Sequence, residues 1–226
     1  MTSFNWVSEA EKIWNEKSKY WNKNSKEMWD KGSRKDIIPF FQKYIEKGSN
    51  VCDLGCGDGY GSYKLAQNGF TVLGIDLSQE MIQKARNQRN WPSLTFEKGD
   101  IANTNISDET FDAIMAINSL EWTESPLKVL SEIKRIVKPK GYACIGILGP
   151  TAMPRVNSYR RLYGEEVICN TMMPWEFEQL ASENGWEKVD ELHVYKRGAD
   201  QLNLHNLANE LKQALTFMSV FLLRKC

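Results

Sequence analysis

A glycine-rich turn at residues 51–61 constrains this chain more than any other feature. A short apolar run, 50–54, ends at Leu54, and Gly55, Gly57 and Gly59 then alternate with other residues before a predicted helix from about residue 60 to 68. Glycine is needed where φ is positive, or where the backbone must lie against a ligand. A helix that begins there points free N–H groups at that ligand. The turn therefore predicts a ligand site at the end of a buried strand.

The spacing of the glycines argues against a dinucleotide. Nicotinamide-dependent enzymes carry Gly-x-Gly-x-x-Gly, whereas the sixth residue counted from Gly55 is Tyr60. Asp53, just before the turn, would repel a pyrophosphate and attract an ammonium group. A nicotinamide oxidoreductase is therefore disfavoured.

Further motifs follow in a regular order. They are Gly74-Ile75-Asp76-Leu77-Ser78, Gly99-Asp100-Ile101, the apolar run 111–117 and the segment 130–141 that ends in Lys138-Pro139-x-Gly141. With the glycine turn, this series resembles the class I S-adenosylmethionine-dependent methyltransferases over roughly residues 34–149. The resemblance is strongest to the methyltransferase type 11 branch, which includes quinone-biosynthesis and small-molecule enzymes.

Strand-like and helix-like segments alternate along the chain, which predicts an α/β fold with a parallel sheet and helices on both faces. We count seven strands, and the resemblance implies a doubly wound, Rossmann-like sheet with an antiparallel last strand at one edge. A single domain is expected. Its parts are an N-terminal helical lid (1–47), a cofactor-binding core (48–149), a substrate-side insertion (150–173) and C-terminal helices and edge strands (174–226).

Residues 4–30 predict a helix that Gly32 ends, with tryptophans near helical spacing. Trp21 and Tyr20 are placed on its aromatic face. That face either packs on the domain or forms a lid that excludes water, and the sequence leaves both open. Further helices are predicted over about 34–46 and 202–213.

The resemblance implies a bound S-adenosylmethionine, with S-adenosylhomocysteine as product. The glycines would approach its methionine part, Asp53 its amino group, Asp76 its ribose hydroxyls and Asp100 its adenine amine. Leu77 and Ile101 would sandwich the adenine, and charged acceptors suit hydroxyl donors. The full set of expected cofactor-binding residues is Arg34, Asp53, Gly55, Cys56, Gly57, Gly59, Asp76, Leu77, Asp100, Ile101, Ile117 and Asn118.

Methyl transfer needs alignment of an acceptor, and a general base is optional. Glu121 is the candidate base, with orientation of its loop as the competing role. The acceptor pocket is expected between the N-terminal helix, the Glu121 loop and the insertion. Its candidate residues are Tyr20, Trp21, Trp122, Tyr159, Arg160, Arg161 and Tyr163, the arginines being solvated in the alternative interpretation. His193 and His205 are interpreted as structural.

The amino-acid composition limits the kinds of binding partner that we expect. Lys plus Arg and Asp plus Glu number 29 each, and a neutral chain lacks the basic footprint of nucleic-acid binding. We expect a small-molecule acceptor, no nucleic acid, no membrane, no metal, and a monomer or homodimer. No secretory leader is apparent at residues 1–11, so a cytoplasmic location is expected. The competing function is a catalytically silent, S-adenosylmethionine-binding regulatory module.

Overall fold

The computed structural model describes residues 4–226, with the backbone alone at Asp200. Within this range the chain forms a seven-stranded sheet in the order β3-β2-β1-β4-β5-β7-β6. The strands are β1 Asn50–Leu54, β2 Thr71–Asp76, β3 Leu94–Lys98, β4 Phe111–Ile117, β5 Val137–Leu148, β6 Trp186–Tyr195 and β7 Thr216–Lys225. The helices are α1 Trp6–Asp30, α2 Ile37–Phe41, α3 Tyr60–Gln67, α4 Gln79–Gln88, α5 Pro126–Ile136, α6 Pro174–Glu183 and α7 Asn209–Ala214.

The first five strands are parallel. Strand β7 is antiparallel to both β5 and β6, so the predicted architecture is confirmed, including the antiparallel last pair at one edge. The strand order reverses beside β1, with β2 on one side and β4 on the other. Ligands of such sheets bind at the carboxyl ends of the strands near this point.

Both faces of the sheet are buried because strand side chains alternate. In β4, Met115 and Ile117 face α2, α3 and α4, whereas Ile114 and Ala116 face α5 and α6. A third, smaller cluster joins α1 to the loop after β4 and to the segment after β5, through Ala10, Trp122 and Ile168. The N-terminal helix is thus packed across one end of the sheet.

Two helix predictions are wrong in length. The predicted helix 34–46 is reduced to the five residues of α2, with turns on both sides. Pro39 lies inside it and supplies no N–H to continue a hydrogen-bond ladder. In place of the predicted helix 202–213 the structure has turns and loop over 202–208 and then the short α7, Asn209–Ala214. Asn203 accepts a hydrogen bond from His205 N through its side chain, which competes with helix formation.

The segment after β5 contains an element that the sequence did not predict. Residues Met153–Tyr163 form a 3-10 helix that ends at Gly164, whose φ is 78°. Arg155 anchors this helix to the domain by donating to the carbonyls of Leu148, Gly149 and Met172.

Candidate active site

The glycine turn lies at the carboxyl end of β1 and is shaped by positive φ angles. These are 77° at Gly55, 56° at Gly57 and 75° at Gly59. Gly55 N and Cys56 N both donate to Ile75 O at the end of β2, at 2.8 and 3.0 Å. A Cβ at Gly55 would overlap Ser119 Cβ. The turn is therefore held by main-chain bonds in a conformation that L side chains rarely adopt.

The three glycines do not share one role. Gly55 and Gly57 line a cavity, and a Cβ at Gly57 would lie 2.9 Å from Trp21 Nε1 on α1. Gly59 is the N-cap of α3, and a Cβ there would collide with Phe96 and Ala85. We therefore infer that glycine is required at position 59 by the packing of Phe96 and Ala85. Cys56 is buried and lies outside the cavity lining, so its predicted cofactor contact has no support in the geometry.

Two carboxylates reach the cavity from successive strand ends. Asp76 at the end of β2 accepts from Gly57 N and Ser78 N, each at 2.8 Å. One bond falls on each oxygen, which leaves each a lone pair for a ligand hydroxyl. Burial raises the pKa of the Asp76 carboxyl to about 6. Asp100, after β3, also lines the cavity and accepts from Ala102 N.

Apolar side chains fill the space between these carboxylates. Leu77 and Ile101, the residues predicted to enclose an adenine, both line the cavity. Met81 of α4 joins them and was missed, because its place on a helix after β2 reads equally well as core. Together they form an apolar slot flanked by hydrogen-bond acceptors.

Asp53 and Arg34 are buried behind the cavity lining. Asp53 accepts from Ser62 Oγ at 2.6 Å. Burial raises the pKa of Asp53 to about 7, the hydrogen bond opposing this shift. Arg34 donates from Nη2 to Asn118 Oδ1 at 3.2 Å, and its guanidinium lies 4.9 Å from the centroid of the Trp21 ring. Burial lowers the pKa of Arg34 to about 10. Arg34 therefore remains a cation at neutral pH and attracts the carboxylates around it.

The loop after β4 forms the floor of the cavity. Ile117, Asn118 and Ser119 all line it, and Asn118 has a φ of 54°. The Asn118 carbonyl accepts from Trp122 Nε1 at 2.8 Å. Ser119 Oγ is buried without a hydrogen-bond partner, although a buried hydroxyl normally has one. This hydroxyl was missed by the sequence prediction, and it is available to a ligand.

Glu121, the predicted base, is fully buried within the protein. Its Oε1 accepts from Leu148 N at 2.5 Å, and its own carbonyl accepts from Asn170 N. Burial raises the pKa of Glu121, while Leu148 N and the nearby Arg155 favour the charged form. The side chain joins the end of β5 to the loop after β4 and does not line the cavity. The geometry thus supports orientation of the loop, and a catalytic role stays a prediction.

Helix α1 closes the cavity from the side opposite the sheet. Ala10, Trp14 and Trp21 line it, and the Trp14 and Trp21 rings meet edge to face at 5.9 Å. Asp58 in the glycine turn holds this helix. It accepts from Ser25 Oγ at 2.6 Å and from Asn22 Nδ2 at 2.8 Å. Asp58 was not predicted as a site residue, although an acid inside a glycine turn could have signalled a contact of this kind.

The remaining acceptor candidates separate into two groups. Trp21 and Trp122 line the cavity. The grouping of Tyr20 with the tryptophan face is wrong, since Tyr20 is 67% exposed. Trp21 follows Trp14 by seven residues, about two helical turns, and so lies on the same face. Tyr20 follows Trp14 by six residues, which places it about a third of a turn away from that face. The four candidates on the 3-10 helix, Tyr159, Arg160, Arg161 and Tyr163, are exposed and lie outside this cavity. Arg160 is paired with Glu165.

The cavity matches the chemistry of a nucleoside amino acid. It combines backbone exposed at two glycines, two carboxylates, an unpartnered hydroxyl and an apolar slot. S-adenosylmethionine presents hydroxyls, amines, a positive charge and an adenine, so the residues present fit this group.

Comparison with known proteins gives the same class. Residues 52–145 match the methyltransferase domain family. The chain is 26% identical over 178 residues to the biotin biosynthesis bifunctional protein BioHC of Teredinibacter turnerae, covering 74% of this chain and 30% of that protein. It is 32% identical over 112 residues to the ubiquinone biosynthesis O-methyltransferase of Coxiella burnetii, covering 46% and 48%.

A solved S-adenosylmethionine-dependent methyltransferase of Thermotoga maritima has the same fold, with a TM-score of 0.66 at 18% identity, covering 94% of this chain and all of that one. Residues 52–145 therefore carry a methyltransferase domain, and the fold around them is that of the class I S-adenosylmethionine-dependent methyltransferases. The chain spans 30% and 48% of the length of the two curated relatives named above.

Two further findings bear on the site. No helix in residues 4–226 is long and apolar enough to cross a membrane. Across the described residues, no three or more histidine, cysteine, aspartate or glutamate side chains are grouped to hold a metal ion.

Proposed function

We propose that this chain binds S-adenosylmethionine and transfers its methyl group to a small-molecule acceptor. The observation that carries the proposal is the convergence of three strand ends on one cavity. Gly55 and Gly57 follow β1, Asp76 ends β2 and Asp100 follows β3. A cation with a ribose and an adenine satisfies these groups better than a pyrophosphate would, because phosphate is repelled by carboxylates.

In this proposal the residues divide the cofactor among them. Asp76 accepts hydrogen bonds from the ribose hydroxyls, and Asp100 accepts one from the adenine amine. Leu77, Met81 and Ile101 cover the adenine. The glycine backbone and Ser119 Oγ face the methionine part, with Asp53 and Arg34 supplying charge from behind. The domain is one unit, in which residues 48–149 hold the cofactor and residues 150–226 complete the sheet and the acceptor side.

When bound, the cofactor supplies a methyl group already activated by a sulfonium. Asp76, Asp100 and the glycine turn would hold this cofactor, and an acceptor aligned with its methyl group would take that group in exchange for a proton released to solvent. The chain's own contribution is alignment and exclusion of water, and alignment can contribute about 7–11 kcal/mol. Trp14, Trp21 and Trp122 form the apolar wall that excludes water from this cavity.

The N-terminal helix acts as the lid in this proposal. Residues 6–30 cross the cavity and are tied to the turns after β1 and β2 by side-chain hydrogen bonds, Ser25 to Asp58 and Ser78 to Asn15. A cofactor enclosed between the strand ends and the tryptophans cannot enter without movement of this helix. Residues 1–3 of the predicted lid lie outside the described residues.

Calorimetry with S-adenosylhomocysteine tests the cofactor. We expect binding, and we expect Asp76→Asn to weaken it at least tenfold, since hydrogen bonds to a charged group contribute about 1.5–3 kcal/mol. Asp30→Asn, which removes a surface carboxylate paired with Lys64, should leave the affinity unchanged. Equal binding by wild type and Asp76→Asn would contradict the proposed site, and binding of NAD in preference would point to an oxidoreductase.

A screen for transfer of a radiolabelled methyl group separates an enzyme from a silent binding module. Binding of S-adenosylhomocysteine without transfer to any acceptor in a broad small-molecule set would favour the silent module. Transfer to protein or nucleic acid alone would contradict the small-molecule acceptor.

A further inference from the structure

A second cavity adjoins the first on the outer side of α1. It lies between α1 and the segment after β5. Its walls include Ile13, Trp14, Lys17, Trp122, Asn157 and Ile168. None of the carboxylates or glycines assigned to the cofactor lines it, so it is a separate space with its own chemistry.

Two tryptophan rings separate the cavities. Trp14 and Trp122 line both of them, and the rings meet edge to face with centroids 5.3 Å apart. Trp122 is fixed, because its Nε1 donates to Asn118 O and its carbonyl accepts from Trp6 Nε1 at 2.7 Å. Trp14 belongs to α1, the same helix as Trp6. A molecule in the outer cavity thus lies against the wall behind which the cofactor is proposed to bind.

Lys17 is the cation of the outer cavity. Its Nζ donates to Asn157 Oδ1 at 3.1 Å and lies 5.6 Å from the centroid of the Trp14 ring. Among the described carboxylates, none lies within 4.0 Å of Lys17 Nζ. Burial lowers the pKa of Lys17. A half-buried ammonium with spare donors favours an anionic acceptor group.

The other charged groups of this cavity form no ion pair with that cation. Glu9 and Glu166 contribute to the lining, yet both lie beyond ion-pair distance of Lys17, and Glu166 is exposed to solvent. The remaining surface is aromatic or aliphatic. Aromatic rings pack preferentially edge to face or offset on other rings, so a flat ring system suits this wall.

We propose that the outer cavity is the acceptor site and that it takes a planar aromatic molecule carrying an acidic group, with the ring against Trp14 and Trp122 and the acid at Lys17. This inference rests on the proposed methyltransferase function and names the class of acceptor. It assigns binding roles to Lys17 and Trp14, and it requires the Trp14 ring to move aside when the acceptor is brought against the cofactor for methyl transfer.

Three probes of equal shape and different charge test the site. They are 2-naphthoate, 2-naphthamide and 2-naphthylmethylammonium, titrated into the full chain with and without saturating S-adenosylhomocysteine. We expect naphthoate to bind about fivefold more tightly than naphthamide, the factor that a partly exposed ion pair contributes. Equal affinities for the two, or a preference for the ammonium probe through Glu9 and Glu166, would overturn the inference.

Variants locate the preference. Lys17→Met should bind naphthoate and naphthamide equally, and Lys17→Arg should restore the preference for naphthoate. Lys19→Met removes an exposed lysine of the same helix and should behave as wild type. Unchanged naphthoate preference in Lys17→Met would also overturn the inference.

Titration of the same variants with S-adenosylhomocysteine keeps the two hypotheses apart. Lys17→Met should bind it as wild type does, because Lys17 does not line the cofactor cavity. Failure of wild type to bind S-adenosylhomocysteine would overturn the proposed function, whatever the naphthoate preference. Normal binding of S-adenosylhomocysteine without that preference would overturn only the acceptor site.

Discussion

The two walls of the inner cavity are built by different physical means. The sheet-edge wall consists of strand ends and tight turns held by main-chain hydrogen bonds, such as those from Gly55 N and Cys56 N to Ile75 O. The helical wall consists of α1, which contributes aromatic side chains and is attached by side-chain contacts to Asp58 and Ser78. Only the first wall contains left-handed backbone at consecutive alternate residues, 55, 57 and 59.

This difference suggests separate roles for the two walls, recognition of the shared ligand by one and control of entry to the cavity by the other. Main-chain bonds and left-handed glycines tolerate little change, so the sheet-edge wall suits a ligand common to a whole family. Side-chain contacts on one face of a helix can break together without loss of the core. The helical wall therefore suits opening, closing and recognition of a particular acceptor.

The largest effect that distinguishes the two walls is expected from glycine replacement. Gly55 and Gly164 have nearly the same φ, 77° and 78°, but a Cβ at Gly55 would overlap Ser119 whereas Gly164 has nothing within 4 Å. Strain alone costs about 1–2 kcal/mol, and overpacking adds about 1–3 kcal/mol. Gly55→Ala should lower the free energy of unfolding by about 2–5 kcal/mol and abolish binding of S-adenosylhomocysteine.

Gly164→Ala should lower the free energy of unfolding only by the backbone strain, about 1–2 kcal/mol. It should still bind S-adenosylhomocysteine. Chemical denaturation measures both free energies. Equal losses in the two variants would show that the sheet-edge wall is no more rigid than a surface loop.

The second effect concerns the anchor of the acceptor side. Arg155 is buried, donates to three carbonyls and lies close enough to Glu121 to favour its charged form. Arg155→Met leaves these three carbonyls without their donor and removes the cation that favours charged Glu121, so we expect a loss of about 3 kcal/mol in the free energy of unfolding. Arg160→Met, on the exposed side of the same 3-10 helix, should be indistinguishable from wild type in chemical denaturation.

A loss of similar size in both variants would mean that the whole 3-10 helix is structural. No loss in either would show that Arg155 does not anchor the segment after β5.

The sequence predicted the sheet-edge wall well because its signals are local. The strands β1 and β4 have the predicted bounds, and Asp76 and Asp100 occur where the turn motifs placed them. Carboxyl ends of parallel strands must lie together, so residues distant in sequence were brought to one site by topology alone. Gly59 is the exception among these residues, since it was expected to contact the cofactor but packs against Phe96 and Ala85. Sequence spacing does not show which neighbour lies against a glycine.

The acceptor side was predicted poorly because its geometry depends on tertiary packing. Residues near one another in the chain, Tyr20 and Trp21, face different directions on α1. The polar residues 159–163 were expected at the site, but their 3-10 helix is oriented by Arg155, which carries no local signal of burial. Lys17 was not singled out, since a lysine on a helix rich in lysine is usually solvated.

A third, smaller effect is a pH dependence of cofactor binding. The pKa of Asp53 is about 7 in the folded protein because the carboxyl is buried. If its ionised form meets the amino group of the cofactor, about one tenth is ionised at pH 6 and about nine tenths at pH 8, so affinity for S-adenosylhomocysteine should rise up to about ninefold. Ionisation of Asp76, with a pKa of about 6, adds at most about a factor of two.

Stability of the free protein should change in the opposite direction. The folded chain retains protons on Asp53 and Asp76 that the unfolded chain releases near pH 4, so the free energy of unfolding falls as the pH rises from about 4 to 7. Asp53→Asn should flatten both profiles, as calorimetry and denaturation across this range would show. An affinity that does not vary with pH in wild type would assign Asp53 to structure alone.

The smallest effect addresses the mobility of the helical wall. Ser25→Ala removes the hydrogen bond from Ser25 Oγ to Asp58, and Asp58 keeps Asn22 and Arg89 as donors. The loss of one such bond, about 0.5–1.5 kcal/mol, should fall on the closed state and speed the release of S-adenosylhomocysteine about two- to tenfold. Stopped-flow tryptophan fluorescence measures this rate.

Ser131→Ala is the matched control, since Ser131 Oγ bonds only within α5 at Leu127 O, and its release rate should equal that of wild type. Hydrogen exchange in α1 should also slow when S-adenosylhomocysteine binds, with no change in β1 and β4. If Ser25→Ala releases the ligand at the wild-type rate and exchange in α1 does not respond to the ligand, α1 is a fixed wall. Access to the cavity would then have to come through the Trp14–Trp122 pair, between the cofactor and the acceptor cavities.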